Sequence, residues 1–222
     1  MGRSCLRGLV DIKQVLFVVI LIGYSYSANS AMRSCELDSN RSLIQIMVYS
    51  KGPLATLTDN HIISTSTVRH SVAFNPENLS ASSFEISIPV NRLSFDLPQL
   101  RKKAGPQFAA KVSSLKRNIT RGIILGPEVL DAKKHPFIHL SSDKIEIKSD
   151  ETLIYLKLFL KGIEKIETVP ITLSFEPPVL HVSGSFSIQQ HQYGIKPHRA
   201  LLGGIVTKDE LDVTFNLVSK CL

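Results

Sequence analysis

The sequence predicts a mainly β chain: an antiparallel sheet closed as a barrel or packed as a sandwich, with one helical insertion. Three observations predict it. Two late stretches, HVSGSFSIQ (His181 to Gln189) and ELDVTFNLV (Glu210 to Val218), alternate apolar and polar residues almost without error. Successive strand side chains point to opposite faces, so each stretch has one wet and one dry face, the antiparallel pattern. Shorter runs of the same kind recur along the chain, separated by tight turns. Between Pro98 and Asp131 the texture changes, and Phe108, Val112, Leu115, Ile119 and Ile123 follow one another at helical spacings of four and three.

The elements are expected in this order. Residues 1–30 begin with Arg3, Arg7 and Lys13, continue with the apolar run Val15 to Tyr24 and end in small residues near Ser27 to Ala31. This reads as a secretory signal, the alternative being an uncleaved anchor. Residues 31–222 form one domain. Strands are expected at Leu43 to Ser50, closed by Lys51-Gly52-Pro53, then at His61 to Thr65, Val68 to Phe74 and Ser83 to Val90. The helix follows over Gln107 to Ile123, with Pro106 in its first turn and its apolar stripe over one barrel end. Strands resume at Pro136 to Ser142, Lys144 to Lys148, Thr152 to Gly162 and Glu167 to Pro177, ahead of the two late stretches. Closure removes exposed strand edges, so a chain of this pattern is most economical as a barrel.

The full chain has a formal net charge of +7; without residues 1–30 it carries 23 basic and 18 acidic residues. Lys102, Lys103, Lys111, Lys116, Arg117 and Arg121 cluster in one segment, which fits either a solvated helix face or peripheral contact with an anionic membrane. There is no long basic run and no Trp, and five Tyr are scattered, so no nucleic-acid partner is expected. Cys5 leaves with the signal. Cys35 and Cys221 remain near the ends of the domain; in an oxidising compartment they are expected to pair, free thiols being the alternative.

Catalytic signatures are sparse. Ser113-Ser114-Leu115-Lys116 matches a Ser-x-x-Lys pattern but lacks its Lys-Thr-Gly companion, and no nucleophile elbow, phosphate loop or dinucleotide fingerprint occurs. His135 and His139 are four apart in a strand, about 13 Å along the chain, too far to share an ion. No catalytic residue, metal or cofactor is expected, and the protein is read as a non-enzyme.

Three segments carry a family resemblance: MVYSKGPLATLTDNHII (Met47 to Ile63), LGPEVLDAKKHPFIHLSSDKIE (Leu125 to Glu146) and GSFSIQQHQYGIKPHRALLGGIVTKDELDVTFNLV (Gly184 to Val218). With the Ile-Pro-Val strand (Ile88 to Val90) and the Tyr-Gly-Ile turn (Tyr193 to Ile195), these are similar to the YceI-like domain, over roughly Leu43 to Val218. The resemblance implies an antiparallel lipocalin-like β-barrel, periplasmic or secreted, holding an isoprenoid, quinone or fatty-acyl lipid. Thr58-Asp59-Asn60-His61 stands where relatives of this branch carry Gly-His-Asn-His, and Lys161 stands at a His-like position. A role resting on paired imidazoles is therefore not carried over.

The residues expected to line a lipid site are Phe84, Ile86, Ile88, Leu156, Leu158, Leu160, Phe175, Phe186, Ile188, Val213 and Phe215, with Phe108, Val112, Leu115 and Ile119 from the helix. Ordinary core packing explains each equally well. Two rival functions remain: an envelope stress or protein-interaction module with a filled barrel, and an enzyme using His61, His70 or His191. The sequence does not give the oligomeric state.

Overall fold

The computed structural model describes residues 32–222; the expected signal, residues 1–30, lies outside them. The strands are β1 (Arg33–Leu37), β2 (Leu43–Val48), β3 (Ser50–Lys51), β4 (His61–Thr65), β5 (Arg69–Phe74), β6 (Ser83–Pro89) and β7 (Ser94–Phe95). Two helices follow, α1 (Pro98–Lys103) and α2 (Ser114–Leu125), then β8 (Phe137–Lys148), β9 (Glu151–Leu160), β10 (Ile163–Glu176), β11 (Val179–Gln189), β12 (Arg199–Ala200), β13 (Ile205–Thr207) and β14 (Glu210–Cys221).

Eight antiparallel strands close a barrel in the order β1, β5, β6, β8, β9, β10, β11, β14, because β1 pairs with both β5 and β14. One edge of β14 is shared. Its last residues, 219–221, pair with β1, and residues 212–216 pair with β2. From there β2, β4 and β7 continue as a flange, while β12, β13 and β3 form a small separate sheet. Among the described residues no helix is long and apolar enough to cross a membrane.

The alternation explains the register. In β11 and β14 the partners Val182–Leu217, Gly184–Phe215 and Phe186–Val213 turn the same face inward. Gly184 is needed there: a Cβ would stand 2.6 Å from the Pro170 carbonyl and 2.7 Å from Phe215 Cζ, so the Phe215 ring occupies the space of the missing side chain. The β9–β10 hairpin turns on Lys161 and Gly162, both at positive φ (50° and 82°), as a two-residue loop matched to the strand twist requires. At Gly162 an added Cβ would come within 2.9 Å of His135. Lys161 Nζ donates to the Glu128 and Gly194 carbonyls at 2.9 and 3.3 Å, so the lysine at the His-like position ties this turn to two loops.

Several expected boundaries shift. Pro136 to Ser142 and Lys144 to Lys148 are one strand, β8, interrupted between Ser142 and Lys144 by a register shift; Asp143 at the irregularity reaches Lys157 Nζ at 2.7 Å. The strand expected from Glu167 begins at Ile163. The helix over Gln107 to Ile123 is corrected most. Gly105 at φ 94° and Pro106 open a short 3-10 turn, Pro106–Phe108, and a new helix starts only where Ser113 caps α2, its hydroxyl accepting from the Lys116 amide at 3.3 Å. The apolar spacing therefore runs across a break, and Phe108 and Val112 precede the helix whose stripe they seemed to share. The same cap accounts for the Ser-x-x-Lys pattern.

Candidate functional site

Two cavities among the described residues bear on function, one inside the barrel and one at its end. The smaller, about 140 Å³, is lined from β1, β5, β6, β8 to β11 and β14, almost entirely by apolar side chains. The larger, about 430 Å³, lies between the barrel, the β2–β4 flange, α2 and the loop of residues 195–207. They share the walls Ile44, Leu140 and Val213. Phe84, Leu140, Phe186 and Phe215 pack against the core clusters on both sides and form a waist between them.

The expected lining residues divide accordingly. Phe84, Ile86, Leu156 and Phe215 line the smaller cavity, Val213 faces both, and Ile88, Leu158, Leu160, Phe186 and Ile188 line the larger. Of the four residues expected from the helix only Ile119 reaches the larger cavity, where Ile123 and Ile124 of α2 also line the wall. Phe108, Val112, Leu115 and Phe175 line neither. Leu115 is 69% exposed, because α2 turns Ile124 inward and leaves this part of the stripe outside. Phe108 is buried against Tyr49, ring centroids 5.5 Å apart. Phe175 stands beyond the smaller cavity, edge-on to Phe74 at 4.9 Å, with Arg33 above its ring.

Phe175 belongs to the seal of that end. Cys35 and Cys221 face each other across β1 and β14 and form a disulfide spanning 186 positions of sequence, packed with Phe74 and Leu180. His70, on the smaller cavity, is committed to the backbone: its Nε2 accepts from the Leu37 amide at 2.8 Å, which holds β1 to β5.

The larger cavity opens at the other end and is rimmed by polar groups. Lys116 Nζ pairs with Asp59 at 3.0 Å, linking α2 to the segment before β4, and Gln190 donates its amide to the Lys208 carbonyl at 2.7 Å. His61, at the start of β4, also faces the cavity. Its Nδ1 lies 2.7 Å from Asp96 Oδ2, and Asp96 Oδ1 accepts from Arg101 Nη1 at 2.6 Å and from the Ile62 amide at 3.0 Å. Asp96 is 1% exposed and Arg101 4%. Burial disfavours the Asp96 charge, but the bonds from His61, the Ile62 amide and Arg101 outweigh it and hold this carboxyl below its usual range. Arg101 is fixed in turn by the carbonyls of Asn60 (2.6 Å) and Ala110 (3.1 Å).

Sequence reasoning did not single out Asp96 and Arg101. The basic cluster it named begins at Lys102 and leaves out Arg101, the buried member of that stretch. Tyr193, in the Tyr-Gly-Ile turn, is fully buried; burial first, and then its 2.6 Å bond to Glu167, push its hydroxyl far above the usual tyrosine range. His191 bonds Asp209 on the surface. His139 meets Ser87 at 2.9 Å. Among the described residues no three His, Cys, Asp or Glu side chains converge as metal ligands.

The YceI-like domain model matches residues 36–219. Among solved structures, BcnA of Burkholderia cenocepacia superposes with a TM-score of 0.62 at 16% identity, over 82% of this chain and 99% of that one. A domain from Saccharophagus degradans, described as polyisoprenoid-binding and implicated in plant cell wall breakdown, gives 0.52 at 10%, over 86% and 100%. A mutant YceI protein of Campylobacter jejuni gives 0.52 at 9%, over 69% and 81%. No curated protein matches the chain.

Proposed function

Since this chain belongs to the family of YceI-like domains, we propose that it is an exported, non-catalytic carrier holding an isoprenoid, quinone or fatty-acyl chain inside its barrel. The observation that carries this reading is the larger cavity: about 430 Å³, walled by aliphatic residues and opening at a polar rim. That volume falls in the range of small-molecule sites. Each methylene moved from water onto such a wall gains about 0.8 kcal/mol, so affinity needs no reacting group. A tail longer than this cavity meets the waist of Phe84, Leu140, Phe186 and Phe215, with the smaller cavity behind it. The description of the Saccharophagus degradans domain as polyisoprenoid-binding supports the same class of guest.

Export to the periplasm or beyond is supported by the Cys35–Cys221 disulfide, which persists in oxidising compartments. Peripheral membrane contact is supported by charge. The segments that ring the opening, residues 50–61, 113–125 and 195–208, carry seven Lys or Arg and one acid, whereas the remaining described residues carry 16 basic and 17 acidic. Leu57, Ile119 and Leu202 project from the same segments into solvent. Cationic side chains around exposed leucines suit an anionic bilayer surface.

Native mass spectrometry of gently purified protein tests the carrier reading. The expected spectrum shows a lipid mass retained on the folded chain. An apo mass from every preparation, together with no uptake of added geranylgeraniol, would overturn it.

A further inference from the structure

The carrier reading leaves open what holds the polar end of the guest, and the Arg101, Asp96 and His61 chain bears on that question. Asp96 follows β7 at φ 48°, and its backbone amide donates to the Ile62 carbonyl at 2.8 Å while its Oδ1 accepts from the Ile62 amide. This two-way bond to β4 fixes the carboxylate behind the imidazole. An ionised carboxylate only accepts, so the hydrogen in the Nδ1–Oδ2 bond belongs to His61 Nδ1. In the neutral ring that leaves Nε2 as a bare acceptor. The His61 side chain is 22% exposed, on the wall of the larger cavity, and among the described residues no protein donor reaches Nε2.

The neighbouring rim groups narrow the ligand. Lys116 is engaged by Asp59, Gln190 spends one amide hydrogen on Lys208, and Arg101 lies behind Asp96, bonded to it through Nη1 while its buried Nη2 has no partner among the described residues. The imidazole Nε2 is left as an acceptor on the cavity wall, suited to a neutral hydrogen-bond donor.

Resting on the carrier reading, we propose that His61 Nε2 is the head-group anchor of the larger cavity and that it selects chains ending in a hydroxyl group, such as a prenyl alcohol or a hydroquinone. Asp96 and Arg101 act as positioning residues that set the tautomer and orientation of the ring. The tail lies along Ile63, Leu93 and Leu160, and the hydroxyl hydrogen points at Nε2.

The test compares geranylgeraniol with its methyl ether, which keeps the tail and the oxygen but loses the donor. Both compete against a fluorescent fatty-acyl probe at pH 8.5, above the ordinary imidazole range. The readout is the ratio of the two affinities in the parent, in His61→Leu and in His61→Gln, which keeps an acceptor. The parent is expected to prefer the alcohol by about three- to tenfold, the weight of one net hydrogen bond. The ratio should fall to one in His61→Leu and recover in part in His61→Gln. Equal affinities in the parent, or an undiminished preference in His61→Leu, would overturn the anchor while leaving the carrier intact. If the parent binds the probe but neither compound, the anchor falls and the carrier stands; if it takes up neither the probe nor the compounds, the carrier reading itself falls.

Discussion

The two ends of the barrel are built on opposite principles, although both hang on the same strand. Toward its C-terminus β14 pairs with β1, and there the end is stopped by the Cys35–Cys221 disulfide, Phe74, Phe175 and Leu180. Earlier in β14 the partner is β2, the sheet leaves the barrel as a flange, and the space behind it is bounded by α2 and loops. One end is built from a disulfide and aromatic and aliphatic contacts. The other is bordered by ion pairs and backbone-directed hydrogen bonds. On the carrier reading the difference places stability at the disulfide end and exchange with the surroundings at the polar end, and five changes test that division.

The largest effect should come from the seal. A bond closing a loop this long contributes about 5 kcal/mol in the chain-entropy account, so replacing Cys35 and Cys221 by Ala should lower the unfolding free energy by roughly that amount in urea titrations. A loss under 1 kcal/mol would show that the seal does not depend on the bridge. At the open end, Arg101→Met removes the partner of a buried carboxylate and should cost about 3 to 5 kcal/mol. Asp96 also gives this end an acid-sensitive component. Its carboxyl is held below the usual range, so the stabilisation is complete above about pH 4 and is lost as pH falls through the folded-state value. Asp96→Asn, less stable at pH 7, should therefore show a shallower decline than the parent below pH 4, and parallel curves would contradict the ion pair.

Between the ends, Gly184→Ala forces a methyl group against Phe215 and the Pro170 carbonyl, a crowding worth about 1 to 3 kcal/mol. The ring must swing off its site, so a crystal structure of the variant should show the waist altered and the two cavities changed in volume; an unmoved Phe215 would sink that expectation. The smallest effect belongs to Lys116→Ala. Its pair with Asp59 is solvent-exposed on the lysine side, so stability should change by less than about 1 kcal/mol. Uptake of a fluorescent fatty-acyl probe should nonetheless accelerate, because the contact ties α2 to the segment before β4. An unchanged uptake rate would mean that the rim does not control entry.

The sealed and open ends also differ in how much of each could be read in the sequence. Period-two alternation survives folding because every inward residue of β9, β11 and β14 meets the same apolar interior, so these strands and their facing sides were legible. Closure was less so. β1 is only five residues, Arg33–Leu37, its Arg, Cys and Glu breaking any apolar pattern, and its pairing with two neighbours is visible only in three dimensions. Phe108 and Val112 misled because helical spacing persisted by coincidence across the Ser113 cap. Asp96 and Arg101 were missed for a different reason. A single acid in a turn and a single base in a short helix look solvated in one dimension, and their burial follows only from the return of β4 beside them. Alternation selects Leu158 and Phe186 as inward, but that both face the larger cavity depends on the height of the waist, a property of the closed barrel alone.

The disulfide has a mechanical consequence. Cys35 and Cys221 bracket nearly all the described chain, and both lie within a few residues of its ends. Tension applied between those ends runs through the sulfur–sulfur bond and leaves the enclosed strands unloaded. A pull that would peel an open barrel apart strand by strand meets a covalent loop instead. Pulled from Met32 and Leu222 under oxidising conditions, the described residues should extend by only the few that lie outside the clasp, and under reduction the same force should unravel β1 and β14 first.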